Sequence, residues 1–123
     1  KYYILIVKPD FKCNTKIMYQ KLDSNKNIKQ NFNTDKIINI LKNGNINSLK
    51  NNLYNVFETA IEEQNTLNKL KNDFLKTGAI DTLLSGSGSC IYGIYSDKES
   101  INKAYISMTK KYNYEFFKCI SYN

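Results

Sequence analysis

Histidine is absent from the 123-residue sequence, which removes the side chain that most often serves as a general base. Catalytic triads built on histidine are excluded as well, so any catalysis would rest on Asp, Glu, Lys or backbone groups. The three cysteines, Cys13, Cys90 and Cys119, lack C-x-x-C spacing and have no histidine with which to complete a zinc site. Cys90 and Cys119 fall on neighbouring predicted strand segments. We nevertheless expect reduced, metal-free thiols in an intracellular, cytoplasmic protein.

Arginine is also absent, so that all 18 basic residues are lysines. The formal net charge of +7 would otherwise suggest a protein that binds nucleic acid. Recognition of bases and phosphates, however, favours the bidentate guanidinium of arginine. The abundance of Lys and Asn indicates a compositional bias of the source genome, and we expect the positive charge to be spread over solvated helix faces. We therefore expect no nucleic-acid partner.

Long apolar runs are missing, and no signal peptide or membrane span is recognisable. We expect no membrane association. A chain of this length with 41% hydrophobic residues can bury one core, which predicts a single domain over residues 1–123. The sequence opens without methionine, directly in an apolar run over residues 2–7. This start indicates a fragment of a longer chain.

The most informative stretch that is present lies between Thr82 and Tyr95, where two apolar runs flank the string Ser85-Gly86-Ser87-Gly88-Ser89. The pattern predicts a strand, a glycine-rich turn and a second strand. Glycine accepts a positive φ and the close approach of a ligand, and the serines add three hydroxyls, so the turn is suited to a small anion-binding concavity. The spacing matches neither a P-loop nor a dinucleotide-binding fingerprint. An ordinary hairpin connection is the alternative.

Hydrophobic periodicity and capping residues predict the remaining elements. A first strand is expected over residues 2–7, ended by Pro9, and a closing strand over residues 114–120. A long helix is expected over residues 47–63, where apolar residues recur at helical spacing. Residues 23–33 are rich in Asn and Lys and lack hydrophobic periodicity, which predicts a polar surface loop. Four further helices are expected to begin at capping residues, namely Asn14 or Thr15, Thr34, Asn65 or Thr66, and Ser96 or Asp97.

The order of these elements predicts an α+β fold of the split β-α-β-β-α-β (ferredoxin-like) type. Extra helices are inserted in the first crossover. The four strands are expected to form one antiparallel sheet. Helices on one face of that sheet would then bury their apolar sides against it.

Three sequence blocks match a known family. They are Ile6-Val7-Lys8-Pro9 followed by Thr15 and Tyr19, then Asn52-Leu53-Tyr54-Asn55-Val56-Phe57-Glu58, and then Gly78-Ala79 leading into Leu84-Ser85-Gly86-Ser87-Gly88. In these blocks the chain resembles the carboxy-terminal domain of GHMP-superfamily small-molecule kinases. It is most similar to the 4-diphosphocytidyl-2-C-methyl-D-erythritol kinases of non-mevalonate isoprenoid biosynthesis. The resemblance covers nearly the whole chain and implies the fold of that domain.

The resemblance implies a parent enzyme that transfers the γ-phosphoryl group of ATP, with Mg²⁺, to the 2-hydroxyl of a cytidine-diphosphate-linked methylerythritol. In this family the phosphate-binding loop and the catalytic Asp and Lys belong to an amino-terminal domain, which is the missing partner of this chain. No residue here is therefore assigned a catalytic role, and we expect the fragment alone to be inactive, with no ATP or Mg²⁺ bound to it.

The resemblance also implies that the glycine-rich turn lines the cleft between the two domains. Positioning supplies much of the rate in phosphoryl transfer, so such a turn can matter without taking part in the chemistry. Thr15 has a blander explanation as a helix cap. The expected substrate-binding residues are Ser85, Gly86, Ser87, Gly88, Ser89 and Thr15.

Two alternatives remain at this stage. The same strand order serves free-standing domains that bind small ligands or RNA. An RNA-binding sheet needs exposed aromatic side chains, for which Tyr92, Tyr95, Tyr114 and Phe116 are candidates. The second alternative is a homoserine- or mevalonate-type GHMP kinase, whose corresponding string typically runs G-A-G in place of Gly86-Ser87-Gly88.

Overall fold

A computed structural model describes residues 2–24, 34–50 and 52–121 of the chain. Its central feature is an antiparallel sheet with the strand order β2-β3-β1-β4. The strands are β1 (Tyr3–Lys8), β2 (Asp81–Leu84), β3 (Ile91–Tyr95) and β4 (Glu115–Ile120). The predicted four-stranded antiparallel sheet and its split β-α-β-β-α-β order are confirmed for the described residues.

The register of β1 decides which face of the sheet is buried. Leu5 and Val7 are fully buried, whereas their neighbours in the strand are partly exposed. Their partners on β3 are Gly93 and Ile91, which lie on the same face. The alternation along β1 therefore directs one set of side chains into the core.

Four α-helices are present among the described residues: α1 (Thr15–Ser24), α2 (Thr34–Asn43), α3 (Gln64–Lys76) and α4 (Lys98–Lys111). Asn14 caps α1, because its Oδ1 accepts a hydrogen bond from the backbone N–H of Ile17 at 3.2 Å. Asp97 caps α4 through the N–H of Ser100 at 2.7 Å. The predicted starts near these residues are confirmed. Of the predicted loop, residues 25–33 lie outside the described residues.

The core lies between α3, α4 and the sheet. Gly93 allows a close approach of α3, since a Cβ added there would lie 2.7 Å from Cδ1 of Phe74 and 3.3 Å from Cβ of Ala79. Phe74 is fully buried at this contact. The other side chains that α3 and α4 bury in the core are Leu67, Leu70, Ile101, Ala104 and Met108.

The prediction of a long helix over residues 47–63 is wrong. The structure has two short 3₁₀ turns instead, Ile46–Leu49 and Val56–Thr59. Between them Asn55 is extended, with φ −138° and ψ 112°, and its side chain bonds to backbone groups far away in sequence. Asparagine side chains compete with helical hydrogen bonds in this way, and here that competition outweighs the helical spacing of the apolar residues.

The strand order corrects the expectation that Cys90 and Cys119 fall on neighbouring strand segments. Cys119 lies in β4, Cys90 directly precedes β3, and β1 runs between these two strands. The structure gives Cys13, Cys90 and Cys119 as free thiols.

The aromatic residues do not form the exposed platform that an RNA-binding sheet requires. Tyr95 is fully buried, and its hydroxyl lies 2.8 Å from Oγ1 of Thr77. Burial raises the pKa of Tyr95 to about 12. Tyr114 and Phe116 pack against the same core, while Tyr92 lies on the opposite face of the sheet. The four candidates are thus divided between the two faces.

A buried carboxylate links α3 to the end of α4. Asp73 is 6% exposed and accepts hydrogen bonds from Nζ of Lys111, at 3.0 Å, and from the hydroxyl of Tyr112. Burial raises the pKa of Asp73, but these two hydrogen bonds, together with the positive charges of Lys111 and Lys76, outweigh it and leave the pKa below its ordinary value. Asp73 therefore stabilises the fold in its ionised form.

We predict that Asp73→Asn lowers the free energy of unfolding by about 1–3 kcal/mol at pH 7, since it weakens charge-assisted hydrogen bonds at a buried site. Because the folded-state pKa is depressed, this contribution is present above the unfolded pKa of about 3.9 and is lost as the pH falls through the folded value. Urea titrations at several pH values between 7 and 3 measure it.

Glu99→Gln is the matched control, because Glu99 forms an exposed pair with Lys103 on α4. Its effect should stay within about 0.5 kcal/mol. An Asp73→Asn difference that grows toward low pH would contradict the assignment.

Candidate functional site

The glycine-rich string forms the turn between β2 and β3. It is closed by hydrogen bonds from the N–H of Ser85 to the carbonyl of Cys90, at 2.8 Å, and from the N–H of Gly88 to the carbonyl of Ser85, at 3.0 Å. Gly86 has φ +54° and Gly88 φ +96°, a region that side-chain-bearing residues rarely adopt. The predicted turn and its positive φ angles are confirmed.

The start of α1 lies against this turn. Oγ1 of Thr15 is 3.1 Å from Oγ of Ser87, on the exposed side of the contact. Beneath it, a Cβ added to Gly88 would lie 2.7 Å from Sγ of Cys13. Thr15 and the turn, predicted from separate blocks of the sequence, thus form one continuous surface at one end of the sheet.

The site residues differ in exposure. Ser85, Gly86 and Thr15 are exposed, whereas Ser87, Gly88 and Ser89 are half-buried. Ser89 also lines a shallow cleft, whose other walls include Lys8, Lys12, Asp10 and Tyr114. The six predicted residues lie close together, but neither Thr15 nor Ser87 lines the cleft that Ser89 lines.

Asn55 holds the turn from outside, a role that the sequence analysis did not identify. Its Nδ2 donates to the carbonyls of Leu84, at 2.8 Å, and Gly86, at 2.7 Å. Its Oδ1 accepts from the N–H of Phe57 at 3.0 Å. The position of Asn55 in one of the family-like blocks is the only signal that pointed toward it.

Glu58 completes this arrangement. One carboxylate oxygen accepts the N–H of Leu84 at 2.8 Å, and the other pairs with Nζ of Lys71 at 2.7 Å. The two side chains are 18% and 25% exposed, so solvent screens their attraction less than at an open surface. Sequence reasoning placed Glu58 inside a helix and gave it no contact with the turn.

The chemical groups of this surface are hydroxyls and backbone amides. The nearby thiol of Cys13 is not an activated nucleophile, because burial, followed by the negative charge of Glu63, raises its pKa. Across residues 2–24, 34–50 and 52–121, no three His, Cys, Asp or Glu side chains come together as a metal site. The arrangement is suited to donating hydrogen bonds to a sugar or phosphate.

Comparison with known proteins shows what kind of domain carries this surface. The family model described as "GHMP kinases C terminal" matches residues 6–113. The chain belongs to this family. The GHMP kinase C-terminal domain thus accounts for most of the sequence, including the turn and the start of α1.

Curated relatives of this GHMP kinase C-terminal domain are named 4-diphosphocytidyl-2-C-methyl-D-erythritol kinase. The one from Thermoanaerobacter pseudethanolicus is 36% identical over 115 residues, and that from Clostridium tetani is 34% identical over 113 residues. A third, from Clostridium botulinum strain Langeland, is 33% identical over 114 residues. The alignments cover 91–93% of this chain but only 39–40% of the relatives' length.

A solved structure supports the fold of the domain. Homoserine kinase from Cytophaga hutchinsonii superimposes with a TM-score of 0.50 at 17% sequence identity, over 96% of this chain and 40% of that protein. At this identity the likeness shows the fold alone. Within the part of the chain that is described, no helix is both long and apolar enough to cross a membrane.

We predict that Gly88→Ala destabilises the domain by about 1–3 kcal/mol, because it adds a contact with Cys13 to an unfavourable φ angle. Introducing Cys13→Ala should recover part of that loss, since the opposing sulfur is removed. Chemical denaturation of the single and double variants gives their coupling energy.

Gly86→Ala is the matched control. It also has a positive φ, but nothing lies within 4 Å of its added Cβ. Its loss should be about 1–2 kcal/mol and additive with Cys13→Ala. Equal coupling for both glycines would show that Cys13 does not limit the turn.

Proposed function

We propose that residues 1–123 form the carboxy-terminal domain of an ATP-dependent kinase that phosphorylates the 2-hydroxyl of 4-diphosphocytidyl-2-C-methyl-D-erythritol, in isoprenoid biosynthesis in the cytoplasm. The observation that carries this proposal is the 33–36% identity to proteins of that one name over more than nine-tenths of the chain. The alignments leave about three-fifths of the relatives' length unmatched, which supports an amino-terminal kinase domain as partner.

Within this kinase, the surface formed by Thr15 and the turn from Ser85 to Ser89 faces the cleft between the domains. Its hydroxyls and N–H groups bind the cytidine-diphosphate-linked acceptor or support the loop that holds ATP. The fixed backbone gives these donors their directions before the ligand arrives, which is how positioning lowers the barrier in phosphoryl transfer.

This domain supplies neither the acid–base chemistry nor the metal ligands in the proposal. The chain has no histidine, and the described residues contain no cluster suited to Mg²⁺. When bound by the complete enzyme, Mg²⁺ neutralises charge on the transferring phosphates. The role left to this domain is to bind and orient.

The test is a phosphorylation assay with the full-length gene product, ATP and Mg²⁺ on three acceptors, namely the cytidine-diphosphate-linked methylerythritol, homoserine and mevalonate. We expect product from the first alone. The 123-residue chain under the same conditions should give none, because it lacks the nucleotide loop. Phosphorylation of homoserine or mevalonate would overturn the proposed acceptor, and turnover by the fragment would overturn the division of roles.

We further predict that Ser87→Ala and Thr15→Ala in the full-length enzyme each raise the KM for the acceptor by about two- to tenfold, the value of one lost hydrogen bond. Stability should change by no more than about 0.5 kcal/mol, since their mutual contact is exposed. Ser107→Ala on the exposed side of α4 is the control and should leave both quantities unchanged. An unchanged KM in both site variants would show that neither hydroxyl contributes to binding the acceptor.

A further inference from the structure

The last residue of β2 has an unusual set of hydrogen-bond partners. β2 is an edge strand of the sheet, paired on one side only, with β3. Both backbone polar groups of Leu84 bond away from β3, its N–H to Glu58 and its carbonyl to Asn55. Groups on a free edge normally bond to water or to another strand. Here two side chains three residues apart take the place of a neighbouring strand.

The orientation of the Asn55 amide is fixed by its own backbone neighbourhood. Because its Oδ1 accepts the N–H of Phe57, its NH₂ group must face the turn. That group then reaches two carbonyls, Leu84 at the end of the strand and Gly86 within the turn. One side chain thus joins the end of β2 to the glycine-rich turn.

This contact adds a constraint from outside the turn to the hydrogen bonds that close it. Glycine has the widest choice of backbone conformations, so the path of residues 86–88 must be selected by hydrogen bonds. Within the turn, the N–H of Gly88 bonds to the carbonyl of Ser85. The bond from Asn55 to Gly86 selects the turn from outside and sets the direction in which its N–H groups point.

Glu58 ties the same site to the core. Its second oxygen pairs with Lys71 of α3, the helix whose Phe74 packs beneath Gly93. The ion pair holds the carboxylate in place while it accepts the N–H of Leu84. The position of the turn is therefore fixed relative to α3, through Glu58 and Lys71, as well as relative to β3.

We infer that Asn55 and Glu58 are positioning residues, which fix the Ser85–Ser89 turn in the conformation that receives the ligand. The inference rests on the proposed function for the identity of the ligand. The hydrogen bonds of Asn55 and Glu58 to Leu84 and Gly86, here called the clamp, are a property of this chain. Neither side chain needs to touch substrate, because both act through the backbone of Leu84 and Gly86.

Asn55→Asp is the sharpest test, since it keeps the size of the side chain and the acceptor for Phe57 but places a carboxylate oxygen opposite two carbonyls. In the full-length enzyme we expect amide exchange at Ser85 and Gly88, whose N–H groups bond to Cys90 and Ser85, to accelerate about tenfold, while Leu5 and Val7 in the centre of the sheet stay protected. In the full-length enzyme we expect kcat/KM for the acceptor to fall about tenfold or more, with a small change in Tm.

Glu58→Gln is the milder second variant should Asn55→Asp fail to fold. It keeps an oxygen for the N–H of Leu84 but loses the ion pair with Lys71, so its loss of kcat/KM should be smaller than that of Glu58→Ala. Asn102→Asp is the matched control, because Asn102 only accepts from Lys118 on the surface of α4 and β4. It should change neither exchange nor kinetics.

The outcomes separate the two proposals. If the unmutated enzyme does not phosphorylate the acceptor, the proposed function is wrong, and the exchange rates alone decide whether Asn55 fixes the turn. If the enzyme is active but Asn55→Asp and Glu58→Ala keep normal kcat/KM, the positioning role is overturned. Unchanged exchange in a folded Asn55→Asp variant overturns the clamp itself.

Discussion

The pairing of β1 on both of its sides is the constraint on which the rest of the structure depends. β1 lies between β3 and β4, and it runs antiparallel to both. Its carboxyl end, at Val7, is therefore opposite Ile91, where β3 begins. The segment that leaves β1 and the turn that enters β3 must meet at the same end of the sheet. That is why Thr15 and Ser87, 72 positions apart in sequence, come within 3.1 Å.

Two sets of polar contacts stabilise different parts of the structure around this sheet. The Asp73 ion pair joins the helices on one side of the sheet and stabilises the fold in its ionised form. The contacts of Asn55 and Glu58 act on the end of one edge strand and on the turn beyond it. The two sets meet on α3, because Lys71, the partner of Glu58, and Asp73 both lie on that helix.

The sequence predicted those features whose causes are local. The caps at Asn14 and Asp97, the alternation in β1 and the glycines of the turn each depend on a few adjacent residues, and all were found. The prediction of a helix over residues 47–63 failed because the side chain of Asn55 bonds to the carbonyls of Leu84, 29 positions away at the end of β2, and of Gly86, 31 positions away in the turn. For the same reason Asn55 and Glu58 escaped notice as part of the site. The spacing of apolar residues indicates which face of an element is buried, but it cannot show that a side chain bonds to a carbonyl far away in the sequence.

The central position of β1 also governs the order in which the domain can assemble during synthesis. Residues 3–8 are made early, whereas their partners at residues 91–95 and 115–120 follow much later. Until then both edges of β1 are unpaired. Because β1 is itself apolar, it can pair with strands of other chains during that time. Closing such distant pairs is slow compared with forming the local helices. During synthesis the domain therefore passes through a stage in which α1, α2 and α3 have been made while both edges of its central strand are still unpaired.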